Sequence, residues 1–263
     1  MTNQRSGFGR KQSWIEGSRM SNAKEANAAK LRQYAEQSNS ALPETGFRLD
    51  RARAALVVVD PQIVFLSPSG ATWPFFGESI TENEIVANLE MLFKASKSAK
   101  ILVAVSPHHH PPREHAWKFN EPLEEVTHDI RLFDRRQASM LDCFDGSRTD
   151  YLEQYKPYIL DGRTIIAPPH NVYGPETNYL ATQLRKHGVS QVILAGMASN
   201  ICFESHLREL IAQGFEVMIV RDAITGPRVP EENGYLAALI NYRFLAHALW
   251  TTKQTVRQLT EPS

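Results

Sequence analysis

Two side chains far apart in the chain have the types and settings for covalent chemistry. Cys202 follows an apolar run at 191–195 through the small-residue turn Gly196, Met197, Ala198, Ser199 and Asn200. It falls in the first turn of an amphipathic segment, where unpaired backbone N–H groups and the helix dipole stabilise a thiolate. An exposed thiolate there, beside a turn whose N–H groups face a crevice, is a nucleophile with an oxyanion hole attached. The alternative is a cysteine that packs inside as a small apolar residue. Asp60 closes the apolar run Ala54–Val59. Its carboxylate accepts the thiol proton if it lies within hydrogen-bond reach. The alternative for Asp60 is an Asx turn or helix cap opened by the Asp60-Pro61 pair.

Something must carry these groups to one place, and the pattern of the chain supplies it. Continuous apolar runs at 54–59, 101–105, 164–167, 191–195 and 215–220 read as strands buried on both faces. Between them, apolar residues recur at helical spacing over 82–98, 175–187, 201–213 and 234–250. Alternating strands and helices predict a three-layer α/β/α fold, a doubly wound parallel sheet. In such sheets the ligand crevice lies beyond the C-terminal strand ends, where Asp60, His108, the 168–171 stretch and Cys202 all stand. Residues 1–50 are polar and poor in large aliphatics, and read as an arm, loose or packed on a neighbour. Residues 51–255 form the domain, with 109–161 inserted over the site.

Composition removes other classes of function. The 29 Lys and Arg balance 29 Asp and Glu, so the electrostatic attraction needed for nonspecific nucleic-acid or anionic-membrane binding is missing. No apolar run approaches the length of a membrane span, and the N-terminus has no signal-peptide core. Two cysteines, Cys143 and Cys202, build no disulfide framework. A cytoplasmic protein acting on a small molecule is expected, with no nucleic-acid or membrane partner.

Three segments carry a resemblance. VVVDPQ at 57–62, AGMASNICFESHLREL at 195–210 and GFEVMIVRDAITG at 214–226 resemble the isochorismatase-like cysteine hydrolases, a superfamily that includes nicotinamidases, N-carbamoylsarcosine amidases and ureidoacrylate hydrolases. The resemblance implies the fold already read from periodicity, and an Asp-Lys-Cys triad. Asp60 then matches the general base and Cys202 the nucleophile. The peptide between Met197 and Ala198 matches a cis bond, and the N–H groups of Ala198 and Cys202 the oxyanion donors. The family lysine is not reproduced. The stretch from Pro168 to Pro175 aligns Asn171 with it, while His170 and Pro168 are the neighbouring registers. Asparagine brings no charge, so Asp60 and the thiolate lose electrostatic support unless Lys156 or His170 supplies it. The resemblance further implies a homo-oligomer, dimer or tetramer.

The histidines raise a metal question. Nicotinamidases, in the same resemblance, place an Asp and several His after the second strand, where they bind a divalent ion. Here Ser106 and Pro107 stand where the acidic ligand is expected, so no metal or other cofactor is expected, with His108, His110 and His115 as the candidates if one binds. Alternatively they form a polar loop. Trp73, Phe76, Trp117, His170 and Tyr173, with His108, are candidate substrate-binding residues; for the aromatics, packing against the core is the competing role.

Three functions stand in competition. The first is a thiol-dependent hydrolase that cleaves an amide, ureide or carbamate C–N bond through a thioester. The second is a catalytically impaired relative that binds or scaffolds. The third is a metal-assisted hydrolase using the cluster from His108 to His115.

Overall fold

The computed structural model describes residues 45–109, 118, 121–130, 132, 149–170, 173–229 and 233–261. Among them run the strands β1 (Ala54–Val59), β2 (Leu102–Ser106), β3 (Ile165–Ile166), β4 (Gln191–Gly196), β5 (Glu216–Ile224) and β6 (Ala248–Trp250). They make one parallel sheet in the order β3-β2-β1-β4-β5-β6. The helices are α1 (Ile63–Leu66), α2 (Trp73–Glu82), α3 (Ile85–Ser98), α4 (Pro122–Asp129), α5 (Lys156–Ile159), α6 (Leu180–Lys186), α7 (Cys202–Ala212), α8 (Gly234–Leu245) and α9 (Thr252–Thr260). No helix among the described residues is long and apolar enough to cross a membrane.

Every residue of β1 is buried, and its alternation serves two cores. Ala54, Leu56 and Val58 join Leu89, Leu92 and Phe93 of α3 on one face. Ala55, Val57 and Val59 join Leu207 and Leu210 of α7 and Leu239 of α8 on the other. Each large aliphatic side chain so buried contributes roughly 1.5–3 kcal/mol of transfer free energy before chain entropy is counted. This is the three-layer, doubly wound sheet that the apolar runs predict. The strand order reverses at β1, which lies between β2 and β4, so a crevice opens at its C-terminal end. The register pairs Val59 with both Ser106 and Gly196, which sets Asp60 beside the exits of β2 and β4.

Several boundaries differ from the sequence reading. The expected last helix over 234–250 ends at Leu245, and β6 and α9 follow it. A short helix, α2, replaces an expected loop. Pro74 lies in its first turn, where a missing N–H costs nothing, and Gly77 leaves room for the Trp73 ring, since a Cβ there would sit 2.4 Å from it. The helix expected over 175–187 divides into a 3-10 turn at Pro175–Thr177 and α6, with Tyr179 between them at φ +58°. Of the expected N-terminal arm, residues 45–50 lie along this chain's own sheet. Thr45 donates to the carbonyl of His247, and Phe47 meets Trp250 edge-on at 5.6 Å.

Candidate active site

Four strand exits converge. β1 delivers Asp60, β2 delivers Ser106 and His108, β3 delivers His170, and the turn after β4 delivers Cys202. The β2 and β3 strands continue their pairing past their ends, where His108 bridges His170, the His170 N–H donates to Pro107, and the His109 N–H donates to His170. This extension sets the two imidazoles side by side, with ring centres 4.6 Å apart. Gln62 locks the His108 loop from beneath. It accepts from the His108 N–H at 2.8 Å and donates to the carbonyls of His108 and Thr149.

The decisive contact is between His170 and Asp60. His170 Nε2 lies 2.9 Å from Asp60 Oδ1, and neither side chain is reached by solvent. Cys202 hydrogen-bonds the same carboxylate, and its Sγ lies 3.8 Å from His108 Nδ1. Thus the acid that closes the first strand and the thiol that opens α7 share one buried pocket. Burial raises the Asp60 carboxyl above its ordinary range, against the lowering by His170 charge and by hydrogen bonds from His170 and Cys202. Asp60 itself sits at φ +53°, a left-handed geometry that is uncommon outside glycine and gathers at functional sites.

Two expectations for the nucleophile turn require correction. Cys202 is not an exposed thiolate: it is 5% exposed, and burial followed by the Asp60 charge pushes its thiol well above the ordinary value. The helix terminus opposes these effects without outweighing them. The cis bond before Ala198 is also not found, because the described residues contain only trans peptides. The turn is made instead by Gly196 at φ +119° and by Ile201 at φ −130°, ψ −106°. Even so, the N–H groups of Ala198 and Cys202 both hydrogen-bond the sulfur, which is the orientation an oxyanion hole needs. Gly196 is irreplaceable on steric grounds, since a Cβ there would lie 2.1 Å from the Val59 carbonyl oxygen.

Behind the sulfur runs a buried relay that the sequence reading did not assign. His206 Nδ1 donates to the Cys202 carbonyl at 2.7 Å. Burial, then the neighbouring His170, holds His206 well below its ordinary value, so its Nε2 is an acceptor. The Ser106 hydroxyl donates to that nitrogen at 2.7 Å, and the Asn178 amide donates to Ser106 at 2.7 Å. A signal was available: His206 is one helical turn after Cys202, and flanks the inward stripe of Phe203, Leu207 and Leu210.

The remaining candidates are distributed as follows. Asn171, His110, His115, Trp117 and Cys143 lie outside the described residues. Lys156 is engaged with Asp150 at 2.7 Å and Glu153 at 2.6 Å. Phe76 is buried in the first core cluster and Trp73 packs against it. Tyr173 lines a cleft of about 460 Å³ at the N-terminal end of α7, together with Asn200, Ile201 and Glu204. Its hydroxyl donates to Glu121, and its phenol is close enough to Cys202 for the two to interact electrostatically, which places the cleft next to the thiol pocket.

The profile of the Isochorismatase domain matches residues 54–252, the span that holds all six strands. The chain belongs to the isochorismatase-like hydrolase family. No curated protein matches it significantly. Among solved structures, a cysteine hydrolase from Pseudomonas syringae pv. phaseolicola 1448A is similar at TM-score 0.68 and 19% identity, covering 83% of this chain and 98% of that one. An isochorismatase family protein from Burkholderia thailandensis is similar at TM-score 0.56 and 20% identity, covering 81% and 98%. A nicotinamidase/pyrazinamidase from Bacillus subtilis is similar at TM-score 0.52 and 18% identity, covering 76% and 99%. These likenesses are of fold. Within the isochorismatase-like family, this chain has an imidazole against the acid where the resemblance implies a lysine.

Proposed function

We propose that this protein is a cysteine-dependent hydrolase of a small amide, ureide or carbamate, working through an Asp60-His170-Cys202 triad. The observation that carries this reading is the buried contact of Asp60 with both His170 and Cys202. Asp60 takes the thiol proton as the sulfur attacks the carbonyl carbon. The N–H groups of Ala198 and Cys202 hold the oxyanion that forms. Collapse breaks the C–N bond, and Asp60 returns the proton to the departing nitrogen. Asp60 then deprotonates a water that attacks the thioester, releasing the acid and restoring the thiol. A thiol held up by burial is matched to this role, because it surrenders its proton only as the bond to carbon forms. His170 donates to Asp60 and lowers its carboxyl through charge and hydrogen bond, the part the missing lysine would play. The Tyr173 cleft is the approach for substrate, and a reducing cytoplasm suits a free thiol.

The test is turnover against a panel of small amides, ureides and carbamates, with mass analysis of acid-quenched enzyme. A thioester adduct on Cys202, and loss of turnover in Cys202→Ala, support the mechanism. Turnover surviving in Cys202→Ala overturns it. A non-catalytic binding protein is the second reading, favoured by the burial of Cys202; it predicts ligand binding in the cleft with no turnover on any member of the panel.

A further inference from the structure

Asp60, His170 and Cys202, with His108 beside them, do more than make the proposed triad. Each offers one metal-ligating atom, and these atoms all lie within 4.8 Å of one another. A tetrahedral zinc with Zn–N near 2.0 Å and Zn–S near 2.3 Å needs ligand atoms roughly 3.3–3.8 Å apart. The observed pairs span that range, at 2.9 Å for His170 and Asp60 and 3.8 Å for His108 and Cys202. Shifts of an ångström or less would close the set. The chemistry of the donors fits as well as the spacing. One carboxylate, one thiolate and two neutral imidazoles cancel the charge of Zn²⁺, and a neutral assembly is the one that a fully buried pocket favours. Cys202 and His108 are each 5% exposed whereas Asp60 and His170 are sealed, so the ion has an edge from which to enter.

We infer that the four residues form a zinc-binding site that captures the nucleophile and the base together, so that zinc silences this centre. This set differs from the histidines at 108–115 considered from sequence, because three of its four members are the triad itself. Binding forms a Zn–S bond and releases the thiol proton to solvent; the proton on His170 Nε2 moves to Nδ1 of a neutral ring, or to solvent from an imidazolium, so that a neutral imidazole meets the metal, and nothing is oxidised or reduced. The binding site stands on geometry alone, and only the silencing rests on the hydrolase reading.

The experiment is titration of the full-length, chelator-treated protein with cobalt(II), then displacement by zinc. Expected are saturation at one equivalent, the strong visible bands of tetrahedral cobalt and a thiolate-to-cobalt charge-transfer band in the near ultraviolet. Cys202→Ser loses the charge-transfer band while Cys143→Ser keeps it. His108→Ala weakens binding by about 100-fold or more. Zinc at one equivalent protects Cys202 from iodoacetamide, and chelator restores the reaction. Far-ultraviolet circular dichroism confirms that each variant is folded, and His108→Gln serves if His108→Ala is not. Absence of a saturable band in the wild type, or its persistence in Cys202→Ser, overturns the site. Cobalt binding in a protein that turns over no substrate keeps the metal site and removes the hydrolase reading.

Discussion

His170 Nε2 stands 2.9 Å from Asp60 Oδ1, with both side chains sealed from solvent, and this contact sets the properties of the whole centre. His170→Ala is expected to lower kcat by about 10²–10³, the usual cost of losing one electrostatic stabiliser. Because His170 lowers the Asp60 carboxyl, its removal also moves the acidic limb of the pH–rate profile upward. His170→Lys is expected to recover part of the rate. An unchanged acidic limb in His170→Ala would count against the pairing.

Asp60 raises the Cys202 thiol through its charge and its hydrogen bond, and the two activities of that sulfur can therefore be pulled apart. In the wild type, alkylation of Cys202 is expected to climb only above pH 9, the ordinary thiol value. In Asp60→Asn the thiol becomes more acidic, so alkylation at pH 8 becomes faster while turnover collapses for want of a base. Rates of iodoacetamide labelling at Cys202 across pH, with and without the substitution, decide it. Equal labelling rates in the two proteins would remove Asp60 from control of the thiol.

The neutrality of buried His206 ties stability to pH. Its folded value lies below the unfolded one, so its contribution is complete above about pH 6.5 and is lost as pH falls, because the unfolded chain then takes the proton. His206→Gln is expected to cost about 1–3 kcal/mol near neutral pH through the broken relay. It is also expected to flatten the decline in stability between roughly pH 6.5 and 5, the window just below the ordinary histidine value. Urea midpoints measured at half-unit pH steps give both numbers, and parallel slopes would refute the assignment.

Gly196→Ala is a steric test. Its Cβ would collide with the Val59 carbonyl at the junction of β1 and β4, and alanine resists φ +119°. A loss of at least about 3 kcal/mol is expected, and with it a fall in Tm of roughly 6–12 °C for a domain of this size. A Tm within a degree or two of wild type would show that the turn after β4 is more compliant than the geometry implies.

The layered sheet was legible because β1, β2 and β4 are central and buried on both faces, which leaves unbroken apolar runs. β6 was not, since it has three half-buried residues at the sheet edge and continues the periodicity of α8 without a break. Asp60 and Cys202 were legible from strand-end position and turn composition. The partner of Asp60 was not legible: β3 has only two residues, the loop beyond it aligns at Asn171 with His170 and Pro168 as neighbouring registers, and it is the pairing with Pro107 that brings His170 to the acid. His206 was only half legible: its place one turn after Cys202 beside the inward stripe hints at burial, but nothing local names what it bonds. Its donor and acceptor partners come from β2 and from the segment before α6, remote in the chain.

Convergence of four strand exits also has a temporal side. During synthesis the acid emerges first, the imidazoles follow, and the sulfur comes only with the fourth strand and its helix. Any chain that stops before that point holds Asp60, His108 and His170 but lacks both the sulfur of Cys202 and the His206 behind it.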